Sequence, residues 1–136
     1  MRFASREWIA AFVAALDAHP DLGRALAGLP RDAAIVIEAE APAFPRAVAV
    51  HGEQERGRIA RWRLLDDEDE VLELEPAYVL RAPYRVWRAL LSGGDPVQAA
   101  LSGRVRVEGD LEALVRRVNW RYVIEAALRA VPTELP

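Results

Sequence analysis

The stretch YVLRAPYRVWRALLSGGDPVQAALSGRVRVEGDL (Tyr78–Leu111) decides the fold. Its first residues, with Ala77 just before them, read as extended chain from Ala77 to Arg81. Pro83 then opens a helix at the one turn where proline is tolerated. Tyr84, Trp87, Leu90 and Leu91 fall along one side of that helix, and Gly93-Gly94 ends it. Asp95-Pro96 restarts the chain as N-cap and first helical residue. Val97, Ala100 and Leu101 share a face of this short helix, and Gly103 stops it. Arg104 to Glu108 alternates strictly, with Val105 and Val107 on the inward side. Gly109 is a turn, and Asp110 caps a last helix.

Downstream, the spacing predicts a helix over residues 111–130 with two apolar stripes. Leu111, Leu114, Val115, Val118 and Tyr122 form the first, and Trp120, Val123, Ile124, Ala127, Leu128 and Val131 the second. At about 100° per residue the stripes lie roughly 180° apart. One flat core needs only one stripe. Either the chain bends near Asn119 to return the second stripe to that core, or the second stripe covers a cavity mouth, a ligand or a partner subunit.

Upstream, Ser5 caps a first helix over residues 5–17 whose Trp8, Ile9, Phe12, Val13 and Leu16 share a face. His19-Pro20 stops it, and Asp21 can cap a short second helix to Leu26. Ala33 to Ala39 is β-branched and apolar, as in a buried central strand. Arg46–His51 and Arg58–Leu64 alternate around a polar loop, GEQERG, and so read as a hairpin. The Arg-lined second strand suits a sheet edge. Asp66–Glu70 (DDEDE) reads as a solvated turn; it lacks the spaced ligands and central glycine of a calcium loop. Val71–Glu75 reads as extended.

Composition narrows the function. One domain over residues 1–136 accounts for the length of 136 residues. The 52% hydrophobic share is diluted by 25 alanines. No cysteine or lysine is present, so thiol nucleophiles, cysteine-ligated zinc and Schiff bases are excluded. With only His19 and His51, no metal site and no catalytic constellation stand out, and no cofactor is expected. A net charge of −3 argues against a nucleic-acid partner. No apolar run reaches membrane-spanning length, and a cytoplasmic location is expected.

Two motifs in the opening stretch carry a resemblance. One is the extended segment leading into Tyr84-x-x-Trp87-x-x-Leu90-Leu91 and a glycine turn. The other is Asp95-Pro96, then Leu101-Ser102-Gly103, a short strand, and Gly109-Asp110. Together they resemble the sterol-carrier-protein-2 family, with the element order agreeing over about residues 5–130. The resemblance implies an α+β fold: a five-stranded, largely antiparallel sheet covered on one face by helices. It also implies a non-enzymatic protein holding a fatty acid, fatty acyl-CoA or other lipid in an apolar tunnel between sheet and helices. By matching position, the tunnel residues would be Trp87, Leu90, Leu91 and Leu101, with Leu114, Val118, Trp120 and Ile124 from the last helix. Arg85 or Arg88 could meet an anionic head group. The alternative is an interaction module with no ligand of its own, forming a homodimer or serving a lipid-metabolism enzyme. This chain departs from the family at Ala100-Leu101, where relatives often carry Phe-Met, and in its proline-rich APAFPR segment.

Overall fold

A computed structural model gives the structure of the protein and describes residues 1–116 and 119–136. In chain order the elements are α1 (Arg6–Ala18), α2 (Leu22–Leu26), β1 (Asp32–Glu38), β2 (Val48–Glu55), β3 (Arg58–Leu64), α3 (Glu70–Leu74), β4 (Tyr78–Pro83), α4 (Tyr84–Leu91), α5 (Pro96–Leu101), β5 (Arg106–Glu108), α6 (Leu111–Arg116) and α7 (Asn119–Ala130). The strands form one five-stranded mixed sheet in the order β3-β2-β1-β4-β5. Three of its pairings are antiparallel, and β1 with β4 is parallel.

The AAIVIEA run becomes the central strand, flanked by β2 and β4. Register then decides which side chains share a face, because directly opposed residues point the same way. Ile35 and Ile37 align with Val50 and Val48, and Val50 aligns with Leu64. This face carries the main core: Ile37, Val48, Val50, Trp62 and Leu64 pack with Trp8, Ile9 and Phe12 of α1, Tyr84, Trp87 and Leu91 of α4, and Leu128 of α7. Toward β5 the same layer continues as Leu80, Ala82, Ala99, Val105 and Val107 with Trp87 and Leu90.

The opposite face is mostly polar and laced with ion pairs. Arg61 bonds Glu53 at 2.7 Å, Arg63 bonds Glu70 at 3.2 Å, and Arg106 pairs with Glu38. Near its centre Ala34, Val36, Ala49 and Val79 make a small apolar patch, and α3 covers it with Val71 and Leu74. That helix corrects the extended reading of Val71–Glu75. Val71 and Leu74 are spaced i, i+3, so both reach the patch from one helical turn. Glu70 also accepts the Asp66 backbone N–H at 2.9 Å, which organises the acidic turn before it.

One other expectation changes. The GEQERG segment is not a six-residue loop: β2 runs to Glu55, and only Arg56-Gly57 turn the chain. Both have positive φ, 54° and 76°, as a two-residue type I′ hairpin turn requires. The helix predicted over residues 111–130 is described as α6 and α7, on either side of residues 117–118, which lie outside the described residues. Residues of both stripes are buried. Leu114 of the first stripe is buried on α6, while Val123 and Ala127 of the second are buried on α7. On α7, Val123 and Trp120 pack with Leu22, Ala25 and Leu16 of α2 and α1. Ser5, Asp95 and Asp110 cap their helices as expected. Asp21 makes no side-chain cap on α2.

The two chain ends are stitched together beside α1. Phe3 N–H donates to the Glu134 carbonyl at 2.9 Å, and Glu134 N–H donates to the Met1 carbonyl at 2.7 Å.

One hydrogen-bonded contact ties three strands. His51 on β2 and Asp32 on β1 meet at 2.9 Å, and the other Asp32 oxygen accepts the Ala77 N–H just before β4. Burial alone would raise the Asp32 carboxyl. The hydrogen bonds from His51 and Ala77 outweigh it, so the group sits below its ordinary 3.8. A carboxyl depressed in the folded state adds stability that is full above its unfolded value and is lost as pH falls through the folded value. Urea unfolding between pH 6 and pH 2 should therefore show Asp32→Asn less stable than the parent at pH 6, with the gap closing below about pH 4. A constant gap across that range would show that Asp32 does not contribute through its charge.

Candidate functional site

The predicted site residues sit on α4, α5, α6 and α7, and the structure gathers them in two groups. Trp87, Leu90 and Leu91 are half-buried on α4. Pro83 sets the start of this helix, so that Leu91 joins the α1 side of the layer, Leu90 the β5 side, and Trp87 touches both. Trp87 is fixed by donating its ring N–H to the Ala82 carbonyl at 3.0 Å. The second group lies on α6 and α7. Trp120 donates its ring N–H to the Leu114 carbonyl at 2.7 Å. Leu114 is buried, and Ile124 is half-buried on α7. Val118 lies outside the described residues.

Leu101 departs from the expectation. It is 54% exposed at the end of α5, because Ala99 and Ala100 take the inward positions of that helix. On α7, Tyr122 of the first stripe is likewise 61% exposed.

The polar groups around the site are mostly engaged. Arg85 bonds Glu40 at 2.7 Å, so it is not free to meet a head group without giving up that partner. Arg88 is exposed. Arg121 reaches from α7 to Glu125 at 2.9 Å and to Asp95 at 3.4 Å. Asp95 is also the cap of α5, so this pair pins α7 to α5. The hydrogen bond to Glu125 and the charge of Asp95 hold the Arg121 guanidinium firmly protonated.

One group in the layer was not singled out from sequence. The Tyr84 hydroxyl is buried with no hydrogen-bond partner among the described residues. Its ring stacks on Phe44 at 5.0 Å with the planes nearly parallel, and Phe3 lies 6.0 Å away. The stripe Tyr84-x-x-Trp87 was legible; that Phe44, forty residues earlier, would stack on it was not. A buried hydroxyl left unpaired costs roughly 1–3 kcal/mol.

The described residues form depressions at two places that no predicted site residue lines. One of about 440 Å³ lies between α2 and the β2–β3 turn. The other, about 230 Å³, lies over Phe3 and Phe44 and is rimmed by Arg2 and Arg46. No helix among the described residues is long and apolar enough to cross a membrane.

No family model matches the chain, and no curated protein matches it. Solved structures do. One is described as the crystal structure of sterol carrier protein 2; it superposes with a TM-score of 0.79 at 21% identity, over 96% of this chain and 100% of that one. Another is the solution structure of a conserved hypothetical protein from Thermus thermophilus, provisionally described as a sterol carrier protein. Its TM-score is 0.77 at 20% identity, over 96% of this chain and 91% of that one. The likeness establishes the fold: a sterol-carrier-protein-2-like α+β domain, as the motifs in Tyr78–Leu111 led one to expect.

Proposed function

With that fold as premise, we propose that the chain binds and carries a hydrophobic ligand in the cytoplasm without transforming it. The ligand class is a fatty acid, fatty acyl-CoA or other lipid, held between the helical layer and the apolar sheet face. The observation that carries the reading is the near-complete superposition on a structure described as sterol carrier protein 2. The buried Tyr84 hydroxyl, without a partner among the described residues, supports it, since it lies within that same apolar layer. Trp87, Leu90, Leu91, Leu114, Val118, Trp120 and Ile124 would line the site, and Leu101 would sit at its rim. Each methylene removed from water would contribute about 0.8 kcal/mol before ordering costs. A ligand oxygen reaching Tyr84 would supply the missing hydrogen bond.

Native mass spectrometry of freshly purified protein should reveal a co-purified lipid. Delipidated protein should then bind a fluorescent fatty acid saturably in the micromolar range. Tyr84→Phe is expected to keep or gain stability, because it deletes an unsatisfied group, while affinity falls about five- to tenfold. No saturable binding by the parent would sink the reading.

A second reading is favoured by the exposure of Leu101 and Tyr122. On it, the α5–α7 surface packs against a second copy or an enzyme partner. Replacing the exposed Tyr122, which is not among the proposed lipid-lining residues, by serine separates the two. A changed mass by light scattering with unchanged fatty-acid binding favours the interaction module.

A further inference from the structure

We propose that the cleft between α2 and the β2–β3 turn is a second ligand site, one for an organic anion. Its volume of about 440 Å³ falls within the range of small-molecule sites. Leu26, Ala27 and Leu29 supply an apolar wall, Arg31 and Arg56 the charge, and no acidic residue lines it. Two arginines beside an apolar wall suit an oxyanion, phosphate or carboxylate, attached to a compact apolar group. None of the residues proposed for the lipid lines this cleft, so the inference stands apart from that reading.

The walls are held in place. Gln54 donates its side-chain amide to the carbonyls of Leu26 at 3.3 Å, Leu29 at 3.1 Å and Pro30 at 3.1 Å. This ties the loop after α2 to the sheet. On the other side the hairpin tip abuts α2 through two glycines: a β-carbon on Gly57 would lie 2.8 Å from the Gly23 α-carbon.

The choice of residue at the tip points to a use. Arg56 holds a φ of 54°, where glycine, asparagine or aspartate are the favoured residues of such a turn. An arginine placed against that preference, exposed and with no ion pair among the described residues, is what a charged binding position requires. Arg31 is available as well. Its partner Glu55, at 3.3 Å, is also bonded by Arg61 at 3.3 Å, so Glu55 keeps a cation when Arg31 turns to a ligand.

The test is amide NMR of the isotopically labelled full chain titrated with phenyl phosphate. Saturable shifts centred on the Gly23, Gly28 and Gly57 amides are expected. Arg56→Gly suits the turn and so preserves the fold, yet should weaken binding about tenfold, as should Arg31→Gln. Arg24→Gln, off the lining, should change affinity less than about twofold. Benzoate as a second probe separates the sources of the anion. Saturation at the same amides by either probe supports the site, and saturation by neither overturns it. Shifts centred elsewhere, or equal losses in Arg24→Gln and Arg56→Gly, overturn it too.

Discussion

Replacing Trp8 by alanine is expected to lower the unfolding free energy by about 3–5 kcal/mol. The indole is 5% exposed on the inner face of α1. Phe3 meets it edge-on at 4.9 Å, and Phe12 stacks on it at 5.2 Å. Its ring N–H donates to the Thr133 hydroxyl at 2.8 Å. Alanine would remove the body that separates these rings and leave a cavity that rigid aromatic neighbours cannot close. It would also release the segment after α7 from α1. Trp8→Phe keeps most of the packing and loses the hydrogen bond, so a smaller loss of about 1–2 kcal/mol is expected. Urea unfolding of the three proteins checks the order. A loss under about 1 kcal/mol for the alanine variant would show that Trp8 is no anchor.

Gly109→Ala should cost about 2–4 kcal/mol. Gly109 has a φ of 123°, a conformation that side chains resist. A β-carbon there would also lie 2.7 Å from the Ala77 carbonyl oxygen and 2.6 Å from the Tyr78 ring. Neither neighbour yields easily. Ala77 is fixed by its N–H bond to Asp32. Tyr78 is fixed by its hydroxyl, which donates to the Asp110 carbonyl at 2.6 Å. The alanine variant must therefore move the β5–α6 turn away from β4. A thermal midpoint unchanged within a degree or two would contradict this.

The elements that were legible in the sequence are those whose signals are local. Pro83, Asp95-Pro96, Gly103 and Gly109-Asp110 punctuate the chain whatever surrounds them. They place α4, α5 and the start of α6 correctly. The AAIVIEA run announced a buried strand by composition alone. What failed depended on distant partners. Val71–Glu75 is helical because the patch of Ala34, Val36, Ala49 and Val79 on the far sheet face needs a cover, which no window around residue 71 reveals. The GEQERG segment read as loop because it is polar. Yet Glu53 and Glu55 are strand residues, facing Arg61 and Arg58 on β3.

The candidate site divides the same way. The helical stripe gave Trp87, Leu90 and Leu91 their shared side. Leu101 broke from the pattern because two small alanines beside it pack inward in its place. Tyr84 was visible as a member of the stripe, but a hydroxyl with no partner among the described residues is a property of everything around it. The cleft at Arg56 left a trace that could have been read: arginine in a two-residue turn where glycine or asparagine is usual.

The strand order has a kinetic consequence. β1, β2 and β3 are neighbours in both sequence and sheet, so they can pair after closing only short loops. β4 must find its parallel place beside β1 with the whole β2–β3–α3 excursion between them, a costlier closure. Non-local pairing of this kind is expected to come late on the folding route, after the meander has formed. Contacts made after the rate-limiting step alter the rate of leaving the native state and not the rate of reaching it. The loss in Gly109→Ala, which falls on the β4–β5 end, should thus appear as faster unfolding with the refolding rate almost unchanged.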